Sequence, residues 1–518
     1  MSLAFLPIIG LEIHARLKTK TKLFCSCPSV DETAPSNSAS CQICLGHPGV
    51  LPMLNEEAVR KALRVGLALN ATIPEVCYFD RKQYFYPDLP KGYQITQYKH
   101  PVVEHGTLTI NVPSNSPERQ TLAIHIERAH MEEDAAKNVH QGASNATYVD
   151  YNRAGTPLLE IVTGPDFRSP QEAKLFLQEL QALLRAIGAS DADMEKGMMR
   201  CDANISLLAV DDVAAALADK SPLDMKRLNP KTEVKNLNSF RSVERALQFE
   251  IERQAKLIEA GTIPHTTTRG WNDQTNETVE QRVKESEADY RYFPEPDLPP
   301  LPLAEWREEE RGRLPELPAT TRQRLREEFG INEQDAAFIT SNNWVSFLEE
   351  TMSELGAWLE ASDTSGKDGA QLMNEKRSRI AKLAGSWMTN KLAGLLAERN
   401  ITNPRGLIDP ENMAEFLLLI DKGTVNSVNG SKLLALMIDT KLDPSDLIET
   451  HGLAQIQDTS FLEKVVADVI TQNADQAAQV RAGKLPVLKW FVGQVMKASA
   501  GKANPASAEE ELKKQFGI

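Results

Sequence analysis

The chain has 518 residues, of which 41% are hydrophobic and 25% charged, and its formal net charge is −14. This length exceeds what one ordinary hydrophobic core supports and predicts about three domains. The sequence has no apolar stretch of about 18 residues that would span a membrane. The first ten residues lack the basic region of a signal peptide, so we expect a cytoplasmic protein. The negative charge argues against a general nucleic-acid coat, although a locally basic surface can still bind a nucleic acid.

The first 298 residues alternate strand-like and helical patterns in an irregular order. Strands are predicted at residues 6–13, 107–112, 122–127, 158–163 and 203–208. Helices are predicted at residues 55–69, 169–187 and 239–260, and Ser169, Pro170 and Glu172 give the second of these an N-cap, a first helical residue and a capping box. Such an order favours an α+β fold with a large mixed, mainly antiparallel sheet over a doubly wound fold.

Proline-rich segments divide the rest of the chain into two helical parts. The segment 295–302 predicts a first boundary at residue 298, and the segment 403–410 predicts a second boundary at residue 405. We therefore expect domains at 1–298, 299–405 and 406–518, the last two all-helical. The predicted helices are 307–329, 333–340, 344–360, 376–399, 411–422, 431–440, 461–473, 477–482 and 485–498.

An acidic run stands out in the first part. His130, Glu132, Glu133 and Asp134 fall within five residues, directly after the predicted strand 122–127. Like charges this close repel one another unless water, a proton or a cation relieves them. The run is therefore either a solvated turn or a metal site.

Two strands add candidate ligands. Glu12 and His14 are two residues apart on a predicted strand and point to the same face, which suits either a hard cation or a plain polar surface. Glu160 is the single carboxylate in an otherwise apolar strand. A buried charge there requires a metal or a basic partner.

Four of the six cysteines form a C-x-C…C-x-x-C pattern at Cys25, Cys27, Cys41 and Cys44. The residues between them are too polar to build a core, and four thiolates form the closed tetrahedral site typical of structural zinc. An iron–sulfur cluster uses the same ligands and remains the alternative. Disulfides are disfavoured in a chain without an export signal.

Several cationic segments are candidates for binding phosphates. The loop 79–94 is rich in cations, aromatic residues and turn formers, so Lys82 and Lys91 can bind phosphate while a tyrosine stacks on a base. The same aromatic residues can equally form a small core of the loop itself. The stretches 16–22 and 481–502 are locally basic, and each is either a solvated face or a binding surface.

These segments together resemble the B-subunit family of glutamyl/aspartyl-tRNA amidotransferases. The resemblance rests on residues 10–14, 79–88, 130–134, 150–153, 200–206, 233–240, 289–297 and 493–499. The chain departs from the family pattern at Ala136 and Gly164, neither of which is a proposed ligand. The related archaeal E subunit carries an inserted domain, for which the interval between Asp297 and Arg307 leaves no room.

The resemblance implies a complex of A, B and C subunits. The A subunit would hydrolyse glutamine, and ammonia would reach the B subunit through a channel. The B subunit would use ATP to phosphorylate and then amidate glutamate or aspartate mischarged on tRNA. It also implies a cradle domain, a helical domain and a tRNA-binding tail domain. A non-catalytic tRNA-binding scaffold is the alternative interpretation.

Specific residues receive roles from this resemblance and from their chemistry. Glu12, His14, Glu133 and Glu160 are the expected catalytic ligands of Mg²⁺, and the four cysteines correspond to a zinc site. The residues expected to bind ATP or substrate are Lys82, Tyr86, Asp88, Lys91, Arg153 and Lys235. The residues expected to contact tRNA are Lys484, Lys489, Lys497 and Lys502.

Overall fold

The computed structural model describes residues 4–31, 33–113, 119–140, 146–218, 227–281, 290–362, 366–455, 459–499 and 503–518. The chain forms two compact units, Met1–Leu317 and Pro318–Ile518. The first unit mixes strands and helices and the second is helical, so the predicted α+β class with a mainly antiparallel sheet and a helical C-terminal region is confirmed. No helix in the described ranges is long and apolar enough to cross a membrane.

The first unit contains fifteen described strands and five described helices. The strands are β1 Ala4–Arg16, β2 Val76–Cys77, β3 Asp80–Gln83, β4 Tyr93–Thr96, β5 Val103–Asn111, β6 Thr121–Glu133, β7 Lys137–His140, β8 Thr147–Asp150, β9 Pro157–Thr163, β10 Met199–Val210, β11 Thr232–Leu237, β12 Thr267–Asn272, β13 Glu277–Glu280, β14 Phe293–Pro294 and β15 Leu301–Pro302. The helices are α1 Glu56–Ala68, α2 Pro170–Ala186, α3 Val213–Ala218, α4 Phe240–Glu259 and α5 Ala304–Gly312.

Eight of these strands form one sheet in the order β13-β12-β11-β10-β1-β9-β6-β5. All neighbours are antiparallel except β11 and β12, which run parallel. A smaller sheet, β14-β3-β4, contacts the large one where β4 meets β6. The long strand β1 lies near the middle of the large sheet and pairs with β9 on one side and β10 on the other, so its side chains lie beside those of both strands.

The two faces of the large sheet differ in chemistry because side chains alternate along each strand. One face packs on α1, α2 and α4 through apolar residues such as Ile13, Ile161 and Met131, all essentially inaccessible to solvent. The opposite face carries the charged residues of the same strands. The apolar face and the helices thus form the core of the first unit, so the charged side chains of the opposite face are not required for that core.

Helix starts follow the sequence signals closely. The side chains of Asn55, Ser169 and Ser239 cap α1, α2 and α4 by accepting hydrogen bonds from backbone N–H groups of the first turn. The predicted capping box at Ser169 is only half formed. The Glu172 carboxylate accepts hydrogen bonds from the backbone N–H of Arg168 and from the Arg119 guanidinium, so it anchors the strand-to-helix connection instead.

The second unit is built from helices. They are α6 Pro318–Phe329, α7 Glu333–Ser341, α8 Val345–Ala361, α9 Gly369–Glu375, α10 Arg377–Ala384, a π-helix Gly385–Leu392, α11 Ala393–Glu398, α12 Pro410–Asp421, α13 Ser427–Thr440, α14 Pro444–His451, α15 Thr459–Gln472, α16 Ala474–Arg481, α17 Pro486–Ala498 and α18 Pro505–Phe516. One apolar core extends from Leu325 to Leu453, and a separate core joins α15 to α18.

These limits differ from the predicted boundaries. The first unit extends beyond residue 298 because β15 pairs with β2 and α5 packs on α1, where Arg60 and Arg64 bind the fully buried Glu310. The core of the second unit crosses residue 405, since α12 packs on α8. The single helix predicted for 307–329 is two helices, because Pro315 falls between them and Pro318 is the first residue of the second.

Replacing Leu180 by alanine should lower the free energy of unfolding of the first unit by about 2–5 kcal/mol, because Leu180 is fully buried between α2 and the sheet. Urea unfolding followed by intrinsic fluorescence measures this change. Leu51→Ala is the matched control, since Leu51 is 62% exposed and its loss should alter stability by less than about 0.5 kcal/mol. Equal effects of both substitutions would contradict the assignment of the core.

Candidate functional site

The charged face of the large sheet brings candidate ligands from three adjacent strands together. In the register of the strands, His14 of β1 lies opposite Glu160 of β9, and Glu160 lies opposite His130 of β6. Glu12 and Glu132 are two residues from His14 and His130, so they share the same face. We call Glu12, His14, His130, Glu132 and Glu160 the acidic cluster.

The side chains of the acidic cluster contact one another directly. His14 Nε2 lies 3.2 Å from Glu160 Oε2 and 3.5 Å from Glu132 Oε1. His130 Nε2 lies 3.3 Å from the same Glu160 oxygen. His130, Glu132 and Glu160 are buried, with at most 9% of each residue exposed. Three carboxylates are therefore held within reach of two imidazoles, with little water to screen them.

This crowding shifts the pKa values of His14, Glu132 and Glu160. Burial lowers the pKa of His14, but the Glu160 hydrogen bond and the charges of Glu132, Glu160 and Glu12 outweigh it and raise the pKa to about 9. Burial raises the pKa of Glu132 above its usual value, since His14 and His130 only partly offset it. Burial also disfavours ionised Glu160, yet the two imidazoles hold its pKa well below the usual range. Without a metal, a proton on His14 relieves the repulsion.

The acidic cluster offers two overlapping sets of metal ligands. Glu12, His14 and Glu160 place one ligand atom each within 4.8 Å of one another, and so do His130, Glu132 and Glu160. Carboxylate oxygens with an occasional imidazole suit Mg²⁺ or Mn²⁺. The buried Nδ1 of His130 has no hydrogen-bond partner among the described residues, and an unsatisfied buried nitrogen of this kind is consistent with a ligand at the site. The donor set thus fits a divalent cation.

Glu133, expected from the sequence to be a ligand, does not join this cluster. Its carboxylate accepts a hydrogen bond from the backbone N–H of Ile95 at 2.8 Å and pairs with Lys91. It points to the same side of β6 as the core residue Met131, whereas His130 and Glu132 point to the opposite side. Alternation continued from the buried Ile124 and Ile126 would place His130 and Glu132 on the core face. A bulge between Ile126 and Arg128 reverses the faces, so these two side chains point to the charged face instead.

Cations flank the acidic cluster on both sides. Lys235 of β11 pairs with Asp202 and lies 3.3 Å from Glu233, and its charge also acts on Glu12. At the end of the sheet where β6 ends, Arg153 and Arg200 lie 3.3 and 3.5 Å from Asp134, and Arg200 of β10 is also the cross-strand partner of His14. Arg153 also donates to the backbone carbonyls of Ala135 and Ala136. Of the two predicted residues, Lys235 therefore interacts with the cluster through Glu12, whereas Arg153 pairs with Asp134, two residues beyond Glu132 in the chain.

Strand β3 and the loop that follows it hold four residues predicted to bind ATP or substrate, and only some of them interact with the acidic cluster. Lys82 acts on Glu132 and lies under the ring of Tyr290, with its Nζ 4.8 Å from the ring centroid. Tyr86 is 63% exposed and lines an open hollow with Lys91, outside the acidic cluster. Asp88 accepts a hydrogen bond from Asn138, and burial raises its pKa. The predicted motif 289–297 begins at Asp289, which lies outside the described residues.

The four cysteines converge as predicted for a metal centre. Their sulfur atoms all lie within 4.8 Å of one another, and Cys25 and Cys44 are buried. A hydrogen bond from the Cys25 thiol, together with the backbone N–H of Cys41 and the charge of Lys22, lowers the pKa of Cys44 to about 4 despite burial. A thiolate is the form that binds a metal. The residues present therefore fit a four-thiolate metal site.

The lysines predicted to contact tRNA lie on and just before α17. Lys489 and Lys497 are exposed on the face opposite the buried Phe491, and Lys484 is exposed before the helix starts. Gly493 lies between the two helical lysines at four-residue spacing, and a Cβ atom there would meet open space. Lys502, the fourth predicted residue, lies outside the described residues.

Comparison with known proteins identifies the class to which this fold and site belong. A family model described as the GatB/GatE catalytic domain matches residues 7–308, and one described as the GatB domain matches residues 370–516. The chain therefore belongs to the GatB family, as its sequence motifs predicted.

Its relatives share nearly its whole length. The B subunit of the aspartyl/glutamyl-tRNA(Asn/Gln) amidotransferase of Crocosphaera subtropica is 41% identical over 509 residues, covering 96% of this chain and 95% of the relative. The corresponding B subunits of Thermotoga maritima and Persephonella marina are 40% and 41% identical, covering 98% and 97% of both chains. The similarity thus includes the acidic cluster, the helical unit and the tail.

In metal-free protein, the His14 imidazole should titrate with a midpoint near pH 9, which NMR of ¹⁵N-labelled histidine measures. Because this pKa lies above the unfolded value of 6.5, the charged ring stabilises the fold fully below pH 6.5, and the contribution is lost as the pH rises through about 9. Glu132→Gln removes one negative charge and should lower the midpoint. A midpoint at or below 6.5 in the unsubstituted protein would contradict the geometry of the cluster.

Proposed function

We propose that this chain is the amidating subunit of a tRNA-dependent amidotransferase. It phosphorylates the side-chain carboxylate of glutamate or aspartate mischarged on tRNA with ATP, and then replaces the phosphate with ammonia. The products are Gln-tRNA(Gln) or Asn-tRNA(Asn). The observation that carries this proposal is the acidic cluster, a cation-binding constellation at the centre of the sheet in a chain whose relatives are named as amidotransferase subunits.

The chemistry explains why such a cluster is needed. A carboxylate does not react with ammonia, because oxide is a very poor leaving group. Transfer of the γ-phosphoryl group makes an acyl phosphate, from which phosphate leaves when ammonia attacks. A Mg²⁺ ion held by Glu12, His14, Glu132 and Glu160 would neutralise charge on the phosphate oxygens.

The residues around the cluster have matching roles. Three carboxylates would repel a triphosphate, so the cations on either side must attract it. Four cations are near enough for this role. Lys82 interacts with Glu132 and Lys235 with Glu12, and Arg153 and Arg200 interact with the neighbouring Asp134. His14 must lose its proton to bind a cation, so cation affinity falls as the pH drops below about 9.

Ammonia is proposed to come from a partner. The sequence has no recognisable nucleophile set for glutamine hydrolysis, so an amidase A subunit, with a small C subunit, supplies it. Glu133 and Lys91 line a cavity of about 80 Å³ together with Tyr93 and Ile95. Glu133 directly follows Glu132 in the chain, so this cavity adjoins the cluster from the other side of the strand. It is the site we favour for ammonia delivery.

The four-thiolate site is proposed to hold structural Zn²⁺. Four protein ligands leave no open position for substrate, which suits a structural rather than a catalytic metal. An iron–sulfur cluster is the alternative, and nothing in the proposed reaction requires electron transfer. Metal analysis and the visible absorption of the purified protein distinguish the two.

The competing function is a scaffold that only positions tRNA for a catalytic partner. A surface devoted to binding RNA phosphates would not gather Glu12, Glu132 and Glu160 in one place, because like charges there weaken binding. ATP hydrolysis that depends on Glu-tRNA or Asp-tRNA discriminates the two functions. A scaffold gives none.

Replacing Glu132 by glutamine should abolish ATP-dependent amidation in the assembled complex, by at least about 100-fold, because the cluster loses a ligand and a charge. The basal glutaminase rate of the partner should persist, which shows that the complex is intact. Radiolabelled Glu-tRNA, followed by digestion and chromatography, measures the product. Glu277→Gln on the exposed edge strand β13 is the control and should amidate normally. Normal amidation by Glu132→Gln would refute the assignment.

Neutralising Lys484, Lys489 and Lys497 together should weaken tRNA binding and flatten its dependence on salt, since each lost phosphate contact removes roughly 0.7–0.9 from the slope of log K against log salt. Filter binding at several salt concentrations measures the slope. The control replaces three exposed lysines elsewhere in the second unit, Lys422, Lys432 and Lys464. If both triple variants keep the original slope, α17 is merely a solvated face.

A further inference from the structure

A lysine is buried beside the cysteine site without any carboxylate partner among the described residues. Lys22 is fully inaccessible to solvent, and its Nζ lies 3.6 Å from Cys44 Sγ and 3.2 Å from the carbonyl oxygen of Tyr151. Across the described ranges of the chain, no aspartate or glutamate pairs with it. Burying an ammonium group without a counter-charge is strongly unfavourable, so an anion is expected nearby. The cysteine thiolates fill that role.

The cysteine segment is also bonded to one particular loop. The backbone N–H groups of Asn37 and Ala39 donate to the side chains of Asp150 and Asn152 at 3.0 and 2.8 Å. In return, Asn152 Nδ2 donates to the carbonyl of Pro35, and the Tyr151 N–H donates to Asn37 Oδ1. The loop from Asp150 to Arg153 therefore depends on the shape of the cysteine segment. Without a metal, that polar segment has little core to hold it.

This loop ends at a residue of the charged face. Arg153 donates to the carbonyls of Ala135 and Ala136 and lies 3.3 Å from Asp134, which directly follows the end of β6. One short path thus connects the cysteines, Lys22, the carbonyl of Tyr151 and Arg153. Each step in this path is a hydrogen bond, an ion pair or a few residues of chain.

We infer that Lys22 is a positioning residue for the four-thiolate centre, and that the metal held there fixes the Asp150–Arg153 loop at the edge of the charged face. A metal with charge +2 bound to four thiolates carries a net charge of −2, and the Lys22 ammonium compensates half of it in a buried place. Lys22 also ties the centre to Tyr151. This inference rests on the metal centre proposed above, and it adds a residue and a purpose to it.

The first experiment tests the charge of Lys22. Zinc content is measured on the purified full-length protein in its complex, and the rate of zinc transfer to a chromophoric chelator is followed by absorbance. Lys22→Met and Lys22→Gln should both release zinc roughly 10- to 100-fold faster, since partners of metal ligands commonly affect affinity by this factor. Lys20→Met, an exposed neighbour, should match the unsubstituted protein. Glutamine can still donate hydrogen bonds, so retention of zinc by Lys22→Gln would refute the role of the charge.

A spectroscopic readout separates this role from general destabilisation. With Co²⁺ in place of zinc, the sulfur-to-cobalt charge-transfer band should move to longer wavelength in Lys22→Gln, because the thiolates lose a stabilising positive charge. An unchanged band would overturn the electrostatic role. Zinc-free unsubstituted protein with full stability would overturn the metal centre itself.

The second experiment needs no substitution. Hydrogen exchange of the unsubstituted complex is measured by mass spectrometry before and after chelation. Peptides covering residues 149–153 should exchange at least roughly tenfold faster after chelation, while α2 should be unaffected. Unchanged exchange at 149–153 would refute the coupling, whatever the amidation assay shows, because neither readout depends on tRNA or ATP.

Discussion

The register of three antiparallel strands is the constraint on which the candidate site depends. β1, β9 and β6 are hydrogen-bonded so that His14, Glu160 and His130 stand side by side. Cross-strand partners in a sheet are held about 5 Å apart by the backbone itself, so a small movement cannot relieve the repulsion between Glu160 and Glu132. The charges must be neutralised where they are. The proton held by His14 does this, and a divalent cation bound in its place would supply one more positive charge.

A sheet can support such a face only if the opposite face supplies the stability. Ile13, Ile161 and Met131 lie on the same three strands as the acidic cluster and are completely buried under the helices. Apolar burial of this kind stabilises by roughly 25 cal/mol per Å², which offsets the cost of gathering buried carboxylates on the other side. The alternation of side chains along a strand thus lets one element serve both purposes.

The features of the fold and the candidate site that could be predicted from the sequence are those that depend on residues close together in the chain. Asn55, Ser169 and Ser239 mark helix starts through contacts within one turn, so the sequence predicted α1, α2 and α4 within about one residue. The cysteine spacing likewise predicted a cluster that the structure brings together. Glu133 and Glu132 are adjacent, and their roles depend on a bulge several residues away that changes which of them faces Glu160. No local pattern reveals that bulge. The tight pairing of α5 with α1, which moves the end of the first unit to Leu317, is also a long-range contact.

The charged residues that border the acidic cluster differ between β11 and the end of β6. On the β11 side, Lys235 is shared between Asp202 and Glu233, so that border has no surplus of positive charge among its described residues. At the end of the sheet where β6 ends, Arg16 of β1 interacts with Asp134, Arg153 and Arg200, and the last two lie 3.3 and 3.5 Å from Asp134. Asp31 interacts with Arg16 and Asp88 with Arg153, so both signs of charge are present at that end. The loop from Asp150 to Arg153 is bonded to the cysteine segment and carries one of these arginines, so the position of the loop determines where the Arg153 guanidinium lies beside Asp134.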